Sequence, residues 1–152
     1  MMGAVTYPNA EVEQYIDQHL VPVQFNVVEQ PQVMEQFNST WTPTLIVQDA
    51  EGREHRRSQG YLDAPRFLAE MSLAWLKDAI DRGDFATARD RASEALARTK
   101  GDPEREPEAL YWAAVAGYKA SEDPQNLING WNRLLQEFPR SEWAKRAEFI
   151  RS

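Results

Sequence analysis

Apolar positions follow two different periods along this chain, and the change between them divides it. Val12, Tyr15 and Ile16 recur at helical spacing behind Asn9, predicting a short helix over 10–19 capped by the Asn9 side chain. Val21, Val23, Phe25 and Val27 then alternate with polar neighbours, the pattern of a strand over 21–28. Pro31 opens a second short helix carrying Val33, Met34 and Phe37. Ser39-Thr40-Trp41-Thr42-Pro43 breaks helix and cannot lie in a central strand, because proline lacks the amide donor. Thr44-Leu45-Ile46-Val47 reads as a short buried strand, Asp49-Ala50-Glu51-Gly52 as a turn, and Arg53 to Ser58 as a charged, exposed return strand.

From Asp63 onward the pattern is helical throughout. Helices are predicted over 64–82, 85–98, 107–120, 124–137 and 141–150. Asp63, Asp84, Asp123 and Ser141 are suited to cap helix starts, Gly83 closes the first helix, and Pro139 stops the fourth. Short connections make successive helices antiparallel neighbours. Within this half the sequence nearly repeats itself: Asp84 and Asp123, Ala88 and Leu127, Ala92 and Trp131, and Leu96 and Leu135 are each 39 residues apart. That offset falls in the range of helical-pair repeats. Two copies leave open ends, which the first half of the chain can cover.

Composition narrows the chemistry. The 152 residues contain no cysteine, which excludes a disulfide framework, a Cys-ligated metal and a thiol nucleophile. A net charge of −7 argues against a nucleic-acid binder, which relies on phosphate attraction. No apolar run is long enough for a membrane helix, and Met1 to Val5 lack the pattern of a signal peptide, so the expected setting is soluble and cytoplasmic. The sequon Asn38-Ser39-Thr40 then reads as loop chemistry.

Each candidate for chemistry has a plainer structural reading. His19 and His55 lie on different elements without a second His or Cys at ligand spacing, so no metal site is expected; His19 suits the negative end of a helix. Glu11 and Glu13, and Glu104, Glu106 and Glu108, sit near helix starts, where the helix dipole favours acids. Acid–base work would require one of them buried with a raised pKa. Arg53, Arg56 and Arg57 beside His55 form the one compact basic cluster, suited to an anion or to charge protection of an edge strand. Trp75, Trp112, Trp131 and Trp143 fall at helical spacing with other apolar residues and read as core or inter-helix contacts. No catalytic residue and no cofactor motif is identified.

Two family resemblances complete the reading. The series Thr6 to Val12, Val21-Pro22-Val23, Thr42-Pro43-Thr44-Leu45, Asp49 to Arg53 and Gly60-Tyr61-Leu62 resembles a thioredoxin-like domain over about the first 70 residues. The resemblance implies a cis Thr42–Pro43 bond and a loop, Trp41, Thr42, Pro43 and Thr44, that meets an extended peptide. Trp41 either grips that peptide or packs over the first helix. It also implies that the strand bearing a Cys-x-x-C motif, central in the family, would belong ahead of Met1. The segment from Gly83-Asp84-Phe85 and Ala88 to Leu110, Gly117-Tyr118 and Phe138-Pro139 resembles tetratricopeptide repeats, whose groove implies binding of peptides or proteins.

The fold class expected is therefore α/β plus all-α. It comprises an incomplete thioredoxin-like fold over 1–70 and an antiparallel tetratricopeptide-like half over 71–152, sharing the helix 64–82. The function expected is a non-catalytic interaction module, with protein or peptide as partner and neither nucleic acid nor membrane. The alternative is a truncated form of a thiol–disulfide oxidoreductase. Unpaired strand edges predict a homodimer through the incomplete sheet, or a distorted sheet.

Overall fold

Side-chain caps set most of the helix starts. In the computed structural model, which describes residues 2–151, Asn9 accepts from the amides of Glu11 and Val12 and begins α2 (Ala10–His19), after a single-turn α1 (Met2–Val5). A short α3 (Gln32–Gln36) follows, then β1 (Thr44–Gln48) and β2 (Glu54–Gln59). Asp63, Asp84, Asp123 and Ser141 each cap a helix through the side chain: α4 (Ala64–Asp81), α5 (Phe85–Thr99), α7 (Pro124–Glu137) and α8 (Glu142–Ala147). Between α5 and α7 lies α6 (Glu106–Ser121), with Pro107 in its first turn, and a 3₁₀ turn (Glu148–Arg151) ends the described chain. Among the described residues, no helix is long and apolar enough to cross a membrane.

Three apolar clusters organise these elements. The first joins the N-terminal half to α4: Met2, Val12, Tyr15 and Leu62 pack on Phe67, Leu68 and Met71, with Leu45 and Val47 of β1 against them. The buried Thr6 hydroxyl donates to the Leu62 carbonyl at 2.5 Å and ties α1 to the start of α4. The second cluster sets Leu73, Leu76 and Ala79 of α4 against Ala88, Ala92 and Ala95 of α5 and Ala109 and Ala116 of α6. Alanine on facing sides lets these helices approach closely. The third holds Leu110 and Ala114 of α6 against Trp131, Leu134 and Leu135 of α7 and Ala144 and Ala147 of α8. Gly130 marks the tightest approach, since a Cβ there would lie 2.5 Å from the Ala114 Cβ.

Two expectations are corrected. The segment 21–28 forms no strand; Val21 and Val23 are 92% and 71% exposed. Its alternation suits a pleated surface, but a strand needs a neighbour to complete its ladder, and here none lies alongside. Among the described residues the sheet has only β1 and β2, paired antiparallel with an irregularity at Val47/Gln48. The return strand is also not a solvated one: His55, Arg56, Arg57 and Ser58 are half-buried, because His55, Arg56 and Ser58 engage α4 and Arg57 reaches the Phe37 and Asn38 carbonyls.

Candidate functional site

The loop before β1 is held by its own polar side chains. The Thr44 hydroxyl donates to the Trp41 carbonyl at 2.6 Å and accepts from the Ser39 hydroxyl at 3.0 Å. Asn38 adopts a left-handed conformation (φ 48°), which asparagine tolerates better than most residues. The Thr42–Pro43 bond is cis, and the Pro43 carbonyl accepts from the Gly60 amide at 2.8 Å. This frame leaves Trp41 65% exposed and outside the apolar cluster that holds α2. Beside the loop lies a shallow cavity of about 230 Å³ lined by Met2, Gly3, Tyr7, Gln24, Pro43 and Tyr61. Of the sequence-predicted loop residues, Trp41, Thr42 and Pro43 are exposed and Thr44 is half-buried.

The Gly60–Pro43 bond also fixes which edge groups of β1 are free. Antiparallel pairs alternate between residues that exchange hydrogen bonds and residues that do not. Counting from the 43–60 pair, Leu45 bonds Ser58 and Val47 bonds Arg56, so Thr44 and Ile46 turn their amides and carbonyls away from β2. Among the described residues, no backbone group pairs with that outer edge.

Behind the hairpin, the basic cluster expected to be solvated is engaged inward. Glu70, 4% exposed on α4, accepts from Arg56 Nε, from the Ser58 hydroxyl at 2.5 Å and from Arg105 Nε at 2.5 Å. Arg56 also forms a two-pronged pair with Glu108 of α6 at 2.7 and 3.1 Å, the geometry in which guanidinium and carboxylate match best. Burial alone would raise the Glu70 pKa, but Arg56, Ser58 and Arg105 hold the carboxyl below the usual glutamate range. Burial likewise disfavours the Arg56 cation, yet Glu70 and Glu108 keep it firmly protonated. A general acid needs the opposite shift. Glu70 therefore joins the hairpin to α4 and α6 and is not poised for proton transfer.

A second polar cluster forms around His55. Its Nδ1 lies 2.8 Å from Asp81, and its Nε2 lies 3.0 Å from Asp49 and 3.5 Å from Asp78. Both ring nitrogens face carboxylates, an arrangement that the imidazolium satisfies by donating from each. Burial would lower the His55 pKa, but Asp81, Asp49 and Asp78 raise it above the ordinary value. One ligand atom each from Asp49, His55 and Asp78 fall within 4.8 Å of one another, close enough to share a metal ion. Cations of the protein already occupy those acids: Arg53 pairs with Asp49, Arg82 and Arg91 with Asp78, and Lys77 with Asp81. The three carboxylates are thus already paired within an ion-pair network.

The remaining candidates take structural places. His19 lies between the rings of Tyr15 and Trp75, tilted to the first and edge-on to the second, and Trp75 also carries the Arg91 guanidinium 3.9 Å from its ring centre. Glu11 pairs with Arg98, while Glu106 accepts from the Gly101 amide at 2.7 Å. Trp131 is buried, and Trp112 and Trp143 join it around Tyr111. The Glu70 network escaped the reading of the sequence, although one signal was present. Glu70 and Ser72 are the only polar residues between Phe67 and Trp75, an isolated glutamate that needs a buried partner.

No curated protein and no solved structure matches this chain. Residues 2–75 match a family model described as a thioredoxin-like domain. That match spans the capped α2, the Trp41–Thr44 loop, the β1–β2 hairpin and the first two-thirds of α4. Residues 2–75 are thus similar to a thioredoxin-like domain, and helices α5–α8 follow the matched span.

Proposed function

We propose that this chain is a non-catalytic protein-interaction module that binds an extended peptide at the Trp41–Thr44 loop. The observation that carries the reading is the exposed Trp41 held beside cis Pro43 in a thioredoxin-like domain whose 152-residue chain has no cysteine. Thiol–disulfide exchange needs a thiolate, which these residues cannot supply. In this reading α4–α8 form a tetratricopeptide-like support. The repeat offset supports it, since Asp84 and Asp123 both cap helices and Ala92 and Trp131 both fall on buried faces. The purified chain should not reduce insulin disulfides. A peptide titration should quench Trp41 fluorescence saturably, and Trp41→Ala should abolish most of the binding. Reduction of insulin by the chain, or equal binding by Trp41→Ala, would overturn the reading.

A second reading, a truncated form of a thiol–disulfide oxidoreductase, is favoured by the open outer edge of β1 and by segment 21–28, which forms no strand. Translating the DNA upstream of Met1 tests it. An in-frame apolar strand followed by Cys-x-x-C supports it, and a stop codon close upstream removes it.

A further inference from the structure

The Trp41 loop begins at the end of α3, and that helix is not fixed by apolar packing. α3 has no buried residue and contributes none to the three apolar clusters. The carbonyls at a helix end need donors from outside the helix. Arg57 of β2 supplies them here. Its Nη2 donates to the Phe37 carbonyl at 2.9 Å and its Nη1 to the Asn38 carbonyl at 3.4 Å. Among the described residues, no backbone amide donates to either carbonyl.

A second residue aims the guanidinium. Nε and Nη2 of Arg57 each donate to the Glu54 carboxylate at 2.8 Å, a two-pronged pair that fixes the plane of the group. Side chains alternate along a strand, so Arg57 stands on the hairpin face opposite that of Arg56 and Ser58, which engage Glu70. One strand therefore holds the helical half with one face and the start of the loop with the other.

Residues 38–43 are clamped at both ends by the return strand. At the start, the Arg57 side chain holds the carbonyls of Phe37 and Asn38; at the end, the Gly60 amide holds the Pro43 carbonyl at 2.8 Å. Between the clamps, Asn38 reverses the chain at φ 48°, and the Ser39 hydroxyl bonds the Trp41 carbonyl at 3.2 Å and the Thr44 hydroxyl at 3.0 Å. The position of Asn38 is thus passed to Trp41 through a short, internally bonded backbone. Among the described residues, Arg57 makes no hydrogen bond to Trp41, Thr42, Pro43 or Thr44.

We propose that Arg57, aimed by Glu54, is the positioning residue of the peptide-binding loop, holding Trp41 in its binding conformation through the Phe37 and Asn38 carbonyls. This rests on the interaction-module reading and assigns what sets the affinity of that site. A loop that spends only part of its time in the binding form loses affinity by that fraction. Loss of Arg57 therefore slows association and leaves dissociation unchanged.

Binding kinetics by surface plasmon resonance on the full chain test it. The probe is a heptapeptide selected from a random library on the wild-type chain and no longer bound by Trp41→Ala. Arg57→Met keeps an apolar stem and removes the donors; it should lower the association rate about tenfold, with dissociation changed less than about twofold. Arg57→Lys puts one ammonium in place of the planar fork and should recover part of the loss. Glu54→Gln should slow association several-fold. The amides of Asn38 and Ser39 bond the Glu35 and Met34 carbonyls, and their hydrogen exchange should quicken about tenfold in Arg57→Met. Leu45 and Val47, in the ladder, should change less than about twofold.

Equal association by Arg57→Met overturns the assignment and leaves the interaction-module reading intact. A loss carried by dissociation alone, with exchange at Asn38 and Ser39 unchanged, makes Arg57 a direct peptide contact and also overturns it. Faster exchange throughout β1, β2 and α4 makes Arg57 a residue of general stability and overturns it. If the library yields no Trp41-dependent peptide, the interaction-module reading itself fails, and the assignment with it.

Discussion

Replacing Glu70 by glutamine perturbs the joint between hairpin and helices at its centre. The carboxylate is buried and accepts from three donors carried by β2 and by the segment before α6. A glutamine keeps the shape but offers one acceptor oxygen, and its NH₂ faces guanidinium donors. Removing one partner of a buried ion pair costs about 3–5 kcal/mol, because the other charge stays buried without compensation. Arg56 keeps Glu108 and Arg105 keeps Asp102, so the lower end applies, about 3 kcal/mol. For a chain of this length that corresponds to a fall in Tm of about 6–12 °C. Urea unfolding followed by circular dichroism and by tryptophan fluorescence measures it. The two signals should coincide in the wild type and separate in Glu70→Gln, as the hairpin loosens from α4 and α6. A loss below about 1 kcal/mol, with both signals still coincident, would show that Glu70 does not join the hairpin to α4 and α6.

Three further outcomes follow from individual contacts. The Tyr15 hydroxyl is buried without a hydrogen-bond partner, so Tyr15→Phe should stabilise the fold by about 1 kcal/mol, seen as a higher urea midpoint; destabilisation would contradict the cost assigned to that group. Gly130→Ala should destabilise by about 1 kcal/mol, since overpacking against Ala114 outweighs the helix propensity gained, and adding Ala114→Gly should recover the loss. An additive double mutant would show that the two residues do not clash. His55 has a raised pKa in the folded state, so its contribution is full below about pH 6.5 and is lost as pH rises through the higher folded value. Glu70, Asp81 and Asp102 have lowered pKa values, so theirs is present above the unfolded range near pH 4 and lost on further acidification. Stability should therefore decline on both sides of about pH 5–6.5, and His55→Gln should flatten the alkaline arm while leaving the acid arm; an unchanged alkaline arm would remove His55 from the account.

Local chemistry was legible in the sequence wherever one residue acts on its immediate neighbours. Asn9, Asp63, Asp84, Asp123 and Ser141 cap helices because a short oxygen-bearing side chain reaches amides two or three residues on. The β1–β2 hairpin follows from Asp49 to Gly52 for the same reason: Asp49 accepts from the amides of Glu51 and Arg53, and Gly52 takes a positive φ of 80°. The segment 21–28 misled because alternation records what a strand would bury and not whether a partner lies beside it. The Glu70 network was hidden for another reason. Its members are separated by 12 to 35 residues, and only tertiary packing brings Arg56, Ser58 and Arg105 to one carboxylate. For the candidate loop, the sequence located Trp41 to Thr44, but the exposure of the Trp41 ring depended on how Ser39 and Thr44 tie the backbone beneath it.

Whether the Trp41–Thr44 loop meets an extended peptide is read from backbone amide chemical shifts during a peptide titration. Saturable shifts are expected at the Trp41 indole and at the amides of Trp41, Thr42 and Thr44, with α5–α8 undisturbed. Saturable shifts confined to α5–α8, with the Trp41 indole unmoved, would contradict binding at this loop.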